Sequence, residues 1–249
     1  MEGDIVMATV SEHYDRLLGP VYSWMVGDAA AAMESNRAAL QALGLRPLTK
    51  GLAVDLGAGP GLHAIPLAQL GYTVVAVEGC AALAGELRLR AGALPIRVVE
   101  GDLRRFREHC GEPLDAILCM GDTLTHLASQ EEVERLLTDV AAALAPSGVF
   151  VATFRNYFST ELVGTARFIP VRSDETRILT CFLEYATGTV TVHDLLHERL
   201  EGRWELRVGS YVKLRLAPQS LMRQLEAAGL TVHRDEVPGG MVRIVARRA

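Results

Sequence analysis

The sequence predicts an α/β protein: a doubly wound, mostly parallel seven-stranded sheet with an antiparallel β insertion after strand 5. Two observations carry this reading. Between Gly51 and Phe154, short apolar runs alternate with helical stretches, the rhythm of βαβ units whose strands are buried on both faces. After Tyr157 the rhythm changes to four β-rich runs with no helix between them, which obliges antiparallel pairing.

The elements follow in order. Val10, Tyr14, Leu17, Leu18, Val21, Tyr22 and Met25 recur at helical spacing. Gly19-Pro20 predicts a break there, followed by a second helix toward Leu43 that stops at Gly44. Strands are expected at 52–56, 73–78, 95–100, 115–120 and 149–154, with helices near 61–70, 80–92, 103–109 and 130–144. The inserted strands are expected at 167–171, 177–185, 190–200 and 203–216. Pro218 opens a helix that ends at Gly229, and Pro238-Gly239-Gly240 turns between two closing strands. The chain thus divides into an N-terminal helical lid (1–48), a ligand-binding α/β core (49–155), an antiparallel insertion over the substrate (156–216) and closing elements of the core (217–249).

Composition bounds the function. The 249 residues are 49% hydrophobic and 22% charged, which excludes a disordered or low-complexity chain. No run approaches about 18 apolar residues, so no membrane crossing is expected. Acids appear early and no secretory signal is expected. Cysteines at 80, 110, 119 and 181 form no CxxC, which argues against a zinc ribbon or disulfide framework and for a reducing, cytoplasmic setting. The net charge of −5 argues against nucleic acid as partner. The sign is uneven: residues 1–150 are net −8 and residues 151–249 net +3. His193 and His197 stand four apart, but on a strand pattern and without a third ligand, so no metal is expected. A homo-oligomer is compatible with the sequence.

Chemistry concentrates at the strand ends. The first strand runs into Asp55-Leu56-Gly57-Ala58-Gly59-Pro60-Gly61 and then a helix. Glycines there let a ligand lie against the main chain at a helix N-terminus. Asp55 would repel a pyrophosphate but suits an ammonium group. Glu78 ends the second strand at the distance where a carboxylate grips ribose hydroxyls, with Gly79 beside it. Asp102 and Leu103 follow the third strand and offer an acid and an apolar face to an adenine. An amino group, a ribose and an adenine without phosphates describe S-adenosylmethionine.

DLGAGPG, Glu78, Gly101-Asp102 and the stretch LDAILCMGDTLTHL together resemble the class I S-adenosylmethionine-dependent methyltransferases, whose sheet is Rossmann-like. Within that family CMGDTLTHL is similar to the C-x-G-N-S-x-x-H-L stretch of glycine N-methyltransferase-like small-molecule enzymes, with Asp122-Thr123 in place of Asn-Ser. The resemblance implies that Asp55 and the Gly57–Gly61 turn hold the methionine part, Glu78 the ribose, and Asp102 and Leu103 the adenine. It also implies that the Met120-Gly121 backbone meets the methionine ammonium and that Tyr14 and Tyr22 close over the cofactor. The D/N-P-P-Y/F/W signature of nucleic-acid amino-methyltransferases is absent.

For catalysis, His126 on the rim after the fourth strand is a candidate to take or position the acceptor's proton, with Tyr14 a second. Arg155 is a candidate clamp for an acceptor carboxylate, with Asp122 and Tyr22 nearby. The expected reaction is in-line methyl transfer to nitrogen or oxygen of a small molecule. The competing classes are an RNA or protein methyltransferase, a nicotinamide or flavin oxidoreductase, and a non-catalytic module that only binds S-adenosylmethionine.

Overall fold

The computed structural model describes residues 8–48, 50–159, 161–237 and 240–249. The chain opens with α1 (Val10–His13), whose Thr9 and Glu12 form a reciprocal capping box. It continues through one wide π turn (Tyr14–Leu18) and a 3₁₀ turn (Gly19–Val21) into α2 (Tyr22–Val26). The expected break at Gly19-Pro20 is therefore not there. Proline sits in the first turn of the 3₁₀ segment, where its missing N–H costs nothing. The path breaks instead at Gly27, and Asp28 caps α3 (Ala29–Ala42) by accepting from the Ala31 N–H.

Strands β1 (Leu52–Leu56), β2 (Thr73–Glu78) and β3 (Ile96–Glu100) alternate with α4 (Ala64–Gln69) and α5 (Ala81–Ala91). The expected helix at 103–109 is a 3₁₀ stretch. β4 (Leu114–Cys119), every residue of it buried, leads through a short 3₁₀ turn to α6 (Gln130–Ala143) and β5 (Leu144–Arg155). The insertion is β6 (Phe168–Ser173), β7 (Arg177–Tyr185), β8 (Thr189–Leu200) and β9 (Arg203–Leu214). Then come α7 (Pro218–Ala227), β10 (Leu230–Val237) and β11 (Met241–Arg248). The turn expected at Pro238-Gly239 lies outside the described residues.

The main sheet has the order β10-β11-β5-β4-β1-β2-β3, parallel except where β11 runs against both its neighbours. Strand order reverses between β1 and β4, and the carboxyl ends of those strands are where an open α/β sheet leaves a crevice. One core packs α6, α7 and Phe106 against one face of the sheet, and a second packs α3 and α4 against the other. The insertion forms its own antiparallel sheet, β6-β7-β8-β9. Leu17, Leu18 and Val21 of the N-terminal segment pack on it through a third core. Among the described residues no helix is long and apolar enough to cross a membrane.

Candidate active site

The turn after β1 is held to the end of β2 by backbone and side chain together. The Gly57 and Ala58 N–H groups both donate to the Val77 carbonyl, at 2.9 and 3.0 Å. Glu78 accepts from the Gly59 N–H at 2.7 Å on one oxygen and from the Cys80 N–H at 2.8 Å on the other. One buried carboxylate therefore ties two strand-end turns. Burial pushes Glu78 up while those N–H groups hold it down. Gly59 takes φ +55°, and a Cβ built there meets nothing within 4 Å. That open space belongs to a cavity of about 750 Å³ running along the strand ends.

Most of the residues singled out from the sequence converge on this cavity. Gly57, Ala58, Gly59, Glu78 and Gly79 line it, as do Asp102 and Leu103. Asp102 caps the following turn, accepting from the Arg104 N–H at 2.9 Å, and its carboxylate pairs with the Arg104 guanidinium at 2.6 Å. Met120, Gly121, Tyr14, Tyr22 and His126 line it as well.

Four candidates lie behind the wall. Gly61 is packed against Leu87 and Ile65. Asp55 is buried beneath the turn, where its carboxylate accepts from the Ala64 N–H at the start of α4. Its Oδ2 has no partner among the described residues. Burial, with the Glu78 charge second, pushes it up to about 7. A carboxyl raised on folding binds more protons when native, so native stability should fall as pH rises from about 4 to about 7. Asp55→Asn is expected to remove that slope, read as urea midpoint against pH; an unchanged slope would place its origin elsewhere.

Asp122 and Arg155 face each other rather than the cavity. Asp122, left-handed at φ 77° and 2% exposed, accepts from the Arg155 N–H at 2.6 Å and the Arg155 guanidinium at 3.2 Å. Its strongest charged partner was not foreseen: Lys213 Nζ at 2.9 Å, on the inner face of β9. Burial, the largest single influence, would lower Lys213, but Asp122 together with Tyr211, Tyr157 and Tyr14 outweighs it and holds the ammonium charged. One of only two lysines in the chain, at a strand position alternating with Tyr211 and Gly209, was the available signal.

Part of the cavity wall is a cluster of rings. Tyr14 lies 6.1 Å from Tyr22, 5.7 Å from His126 and 6.5 Å from Tyr211, centroid to centroid. His13, stacked on Tyr211 at 4.4 Å, bonds Asp194 at 2.8 Å, both buried. Gly209 leaves the room for His13, since a Cβ there would sit 2.6 Å from its ring nitrogen. Cys181 donates to the other Asp194 oxygen at 2.7 Å. His126 is half-buried, and its Nε2 is buried without a partner among the described residues. Burial, reinforced by Lys213, pushes it down to about 3, so its ring is neutral at ordinary pH.

Comparison with known proteins places this geometry. The family described as "Methyltransferase domain" matches residues 53–148. A glycine/sarcosine N-methyltransferase of Aphanothece halophytica is 32% identical over 107 residues, 42% of this chain and 40% of that protein. The chain thus aligns with about two-fifths of the length of such relatives. A dTDP-3-amino-3,6-dideoxy-alpha-D-glucopyranose N,N-dimethyltransferase of Streptomyces fradiae is 28% identical over 75% of this chain and 72% of its own. The CcbJ methyltransferase of Streptomyces caelestis has the same fold, with TM-score 0.75 and 22% identity over 95% of this chain and 98% of that one. So does the amino pentose methyltransferase CalS10 of Micromonospora echinaspora, with TM-score 0.69 and 21% identity over 99% and 100%. The domain match over residues 53–148, the relatives and the sheet all agree with a class I S-adenosylmethionine-dependent methyltransferase.

Proposed function

We propose that this chain methylates a neutral amine of a small-molecule acceptor, with S-adenosylmethionine as donor. The residues present fit that cofactor. The Gly59 position offers main chain against open space, and Glu78 and Asp102-Leu103, on the same cavity wall, would take the ribose and the adenine. When bound, the cofactor supplies a methyl group on a positively charged sulfur, so the protein's task is alignment and exclusion of water.

The observation that carries the amine reading is His126. Its ring lines the same cavity as the nucleoside turns, and its Nε2 is buried without a partner among the described residues. As the Nδ1–H tautomer, the neutral ring accepts a hydrogen bond from an N–H and turns the nitrogen lone pair toward the donor. Buried Lys213 close by disfavours a second cation, which keeps the acceptor amine unprotonated and nucleophilic. Attack by a neutral amine leaves an alkylammonium product that releases its proton afterwards, so no strong base is needed. The relatives named as N-methyltransferases support this choice over oxygen.

His126→Phe is expected to lower kcat by roughly 100-fold or more while cofactor affinity changes little. Because His126 is pushed down to about 3, the rate should rise with pH as the acceptor amine loses its proton, without a histidine limb between about pH 5 and 7. The test is a panel of primary amines and matched alcohols, with products read by mass spectrometry. Transfer to alcohols alone, or full activity in His126→Phe, would overturn the reading.

A further inference from the structure

Leu83, Glu86, Leu87 and Arg90 share one face of α5 by helical spacing. Leu83 lines the cavity, and Leu87 leaves no room for a Cβ on Gly61. Arg90, one turn further on, donates from one guanidinium nitrogen to the Pro60 carbonyl. Its other terminal nitrogen lies 3.4 Å from Ser23 Oγ, in α2, and 3.5 Å from Glu86 Oε2. Ser23 in turn donates to that same Glu86 oxygen. Three separate pieces of chain therefore meet at one guanidinium: the turn after β1, the helix after β2 and the N-terminal segment.

Both sides of the Pro60–Gly61 peptide are clamped. Its carbonyl accepts from Arg90, and its N–H donates to the Ala58 carbonyl at 3.0 Å. The peptide directly follows Gly59, whose open side faces the cavity. At the other end of the link, Ser23 directly follows Tyr22, which lines the same cavity. The N-terminal segment also meets α5 at Gly19, where a Cβ would come 2.8 Å from Cys80 Sγ. A guanidinium carries its donors in a rigid fork, so it can hold partners on two sides at a set angle.

We propose that Arg90 is a positioning residue that links the seating of Tyr22 over the cavity to the shape of the Gly59–Gly61 turn. Arg90 does not line the cavity, so it acts through Pro60 and Ser23. The link rests on S-adenosylmethionine lying over the Gly59 turn. Its Ser23 half exists only while α2 lies against α5, so the seated segment holds the turn in its ligand-ready shape. Such coupling is reciprocal: the affinity that the seated segment adds for the cofactor is returned by bound cofactor as protection of the segment.

Calorimetric titration with S-adenosylmethionine and amide hydrogen exchange, both on the full chain, test this. Arg90→Met should bind the cofactor about 10-fold more weakly, and Ser23→Ala about 3-fold more weakly. Because both act through one link, the double variant should match Arg90→Met rather than lose about 30-fold. Saturating cofactor should slow exchange in Tyr22–Val26 of the wild-type chain and leave it unslowed in Arg90→Met. Wild-type binding with additive losses, or with the slowing intact in Arg90→Met, overturns the link alone. Unchanged affinity in Arg90→Met beside a lower urea midpoint marks a mere brace and overturns it too. A wild-type chain that binds no S-adenosylmethionine overturns the cofactor reading along with it. Should Arg90→Met not fold, exchange in Ser23→Ala decides, and slowing of wild-type size there overturns the proposal.

Discussion

Gly59→Val is expected to yield a folded protein whose affinity for S-adenosylmethionine falls at least about 100-fold, about 3 kcal/mol of binding free energy. The reasoning is local. A Cβ at this position meets no protein atom within 4 Å, so the branched side chain fills ligand space rather than core. The left-handed φ of +55° adds backbone strain of about 1–2 kcal/mol for any residue but glycine. Gly59→Ala separates the two effects, since it carries the strain with far less bulk. Calorimetric titration read beside the urea midpoint checks the result. Retained affinity in the valine variant would mean that the ligand does not lie over this turn.

The largest stability loss is expected from Lys213→Met, about 3–5 kcal/mol by urea denaturation. The substitution keeps the length of the side chain and removes only the charge, stranding Asp122 at 2% exposure. Arg155 remains, but its side chain is half exposed and its pull is screened. Asp122→Asn added to Lys213→Met should recover more than half the loss, because a neutral pair no longer strands a charge. The pH dependence has a definite sign. Burial tends to raise Asp122, yet Lys213 and Arg155 hold it well below the usual carboxylate range. Its contribution is complete above the ordinary value near 3.8 and fades only as pH falls through the depressed one. A variant as stable as wild type would show that the pair contributes nothing.

Elements whose pattern is local were legible in the chain. LAVDL and TVVAVE became β1 and β2 at the expected residues, because apolar runs between turn signals leave a parallel strand few alternatives. Gly19-Pro20 misled, since a proline in a first helical turn interrupts nothing, and the wide turn before it is set by packing of Leu17 and Leu18 on the inserted sheet. The glycine turn, Glu78 and His126 were legible because their chemistry is written in residue type and in place after a strand. Lys213, Tyr211, His13 and Asp194 were not, because they meet only through contacts spanning up to 181 positions. No spacing rule reaches that far. Arg155, expected to reach for an acceptor, is engaged by Asp122 instead, a pairing set by the left-handed backbone at residue 122.

The His13–Asp194 bond has a mechanical side. The stretch from Thr9 to Tyr14 forms part of the cavity wall, and this bond rivets it to the same sheet that presents Tyr211 and Lys213. Swinging that stretch outward pulls the rivet, slides His13 off Tyr211 and loosens the ring cluster in one stroke.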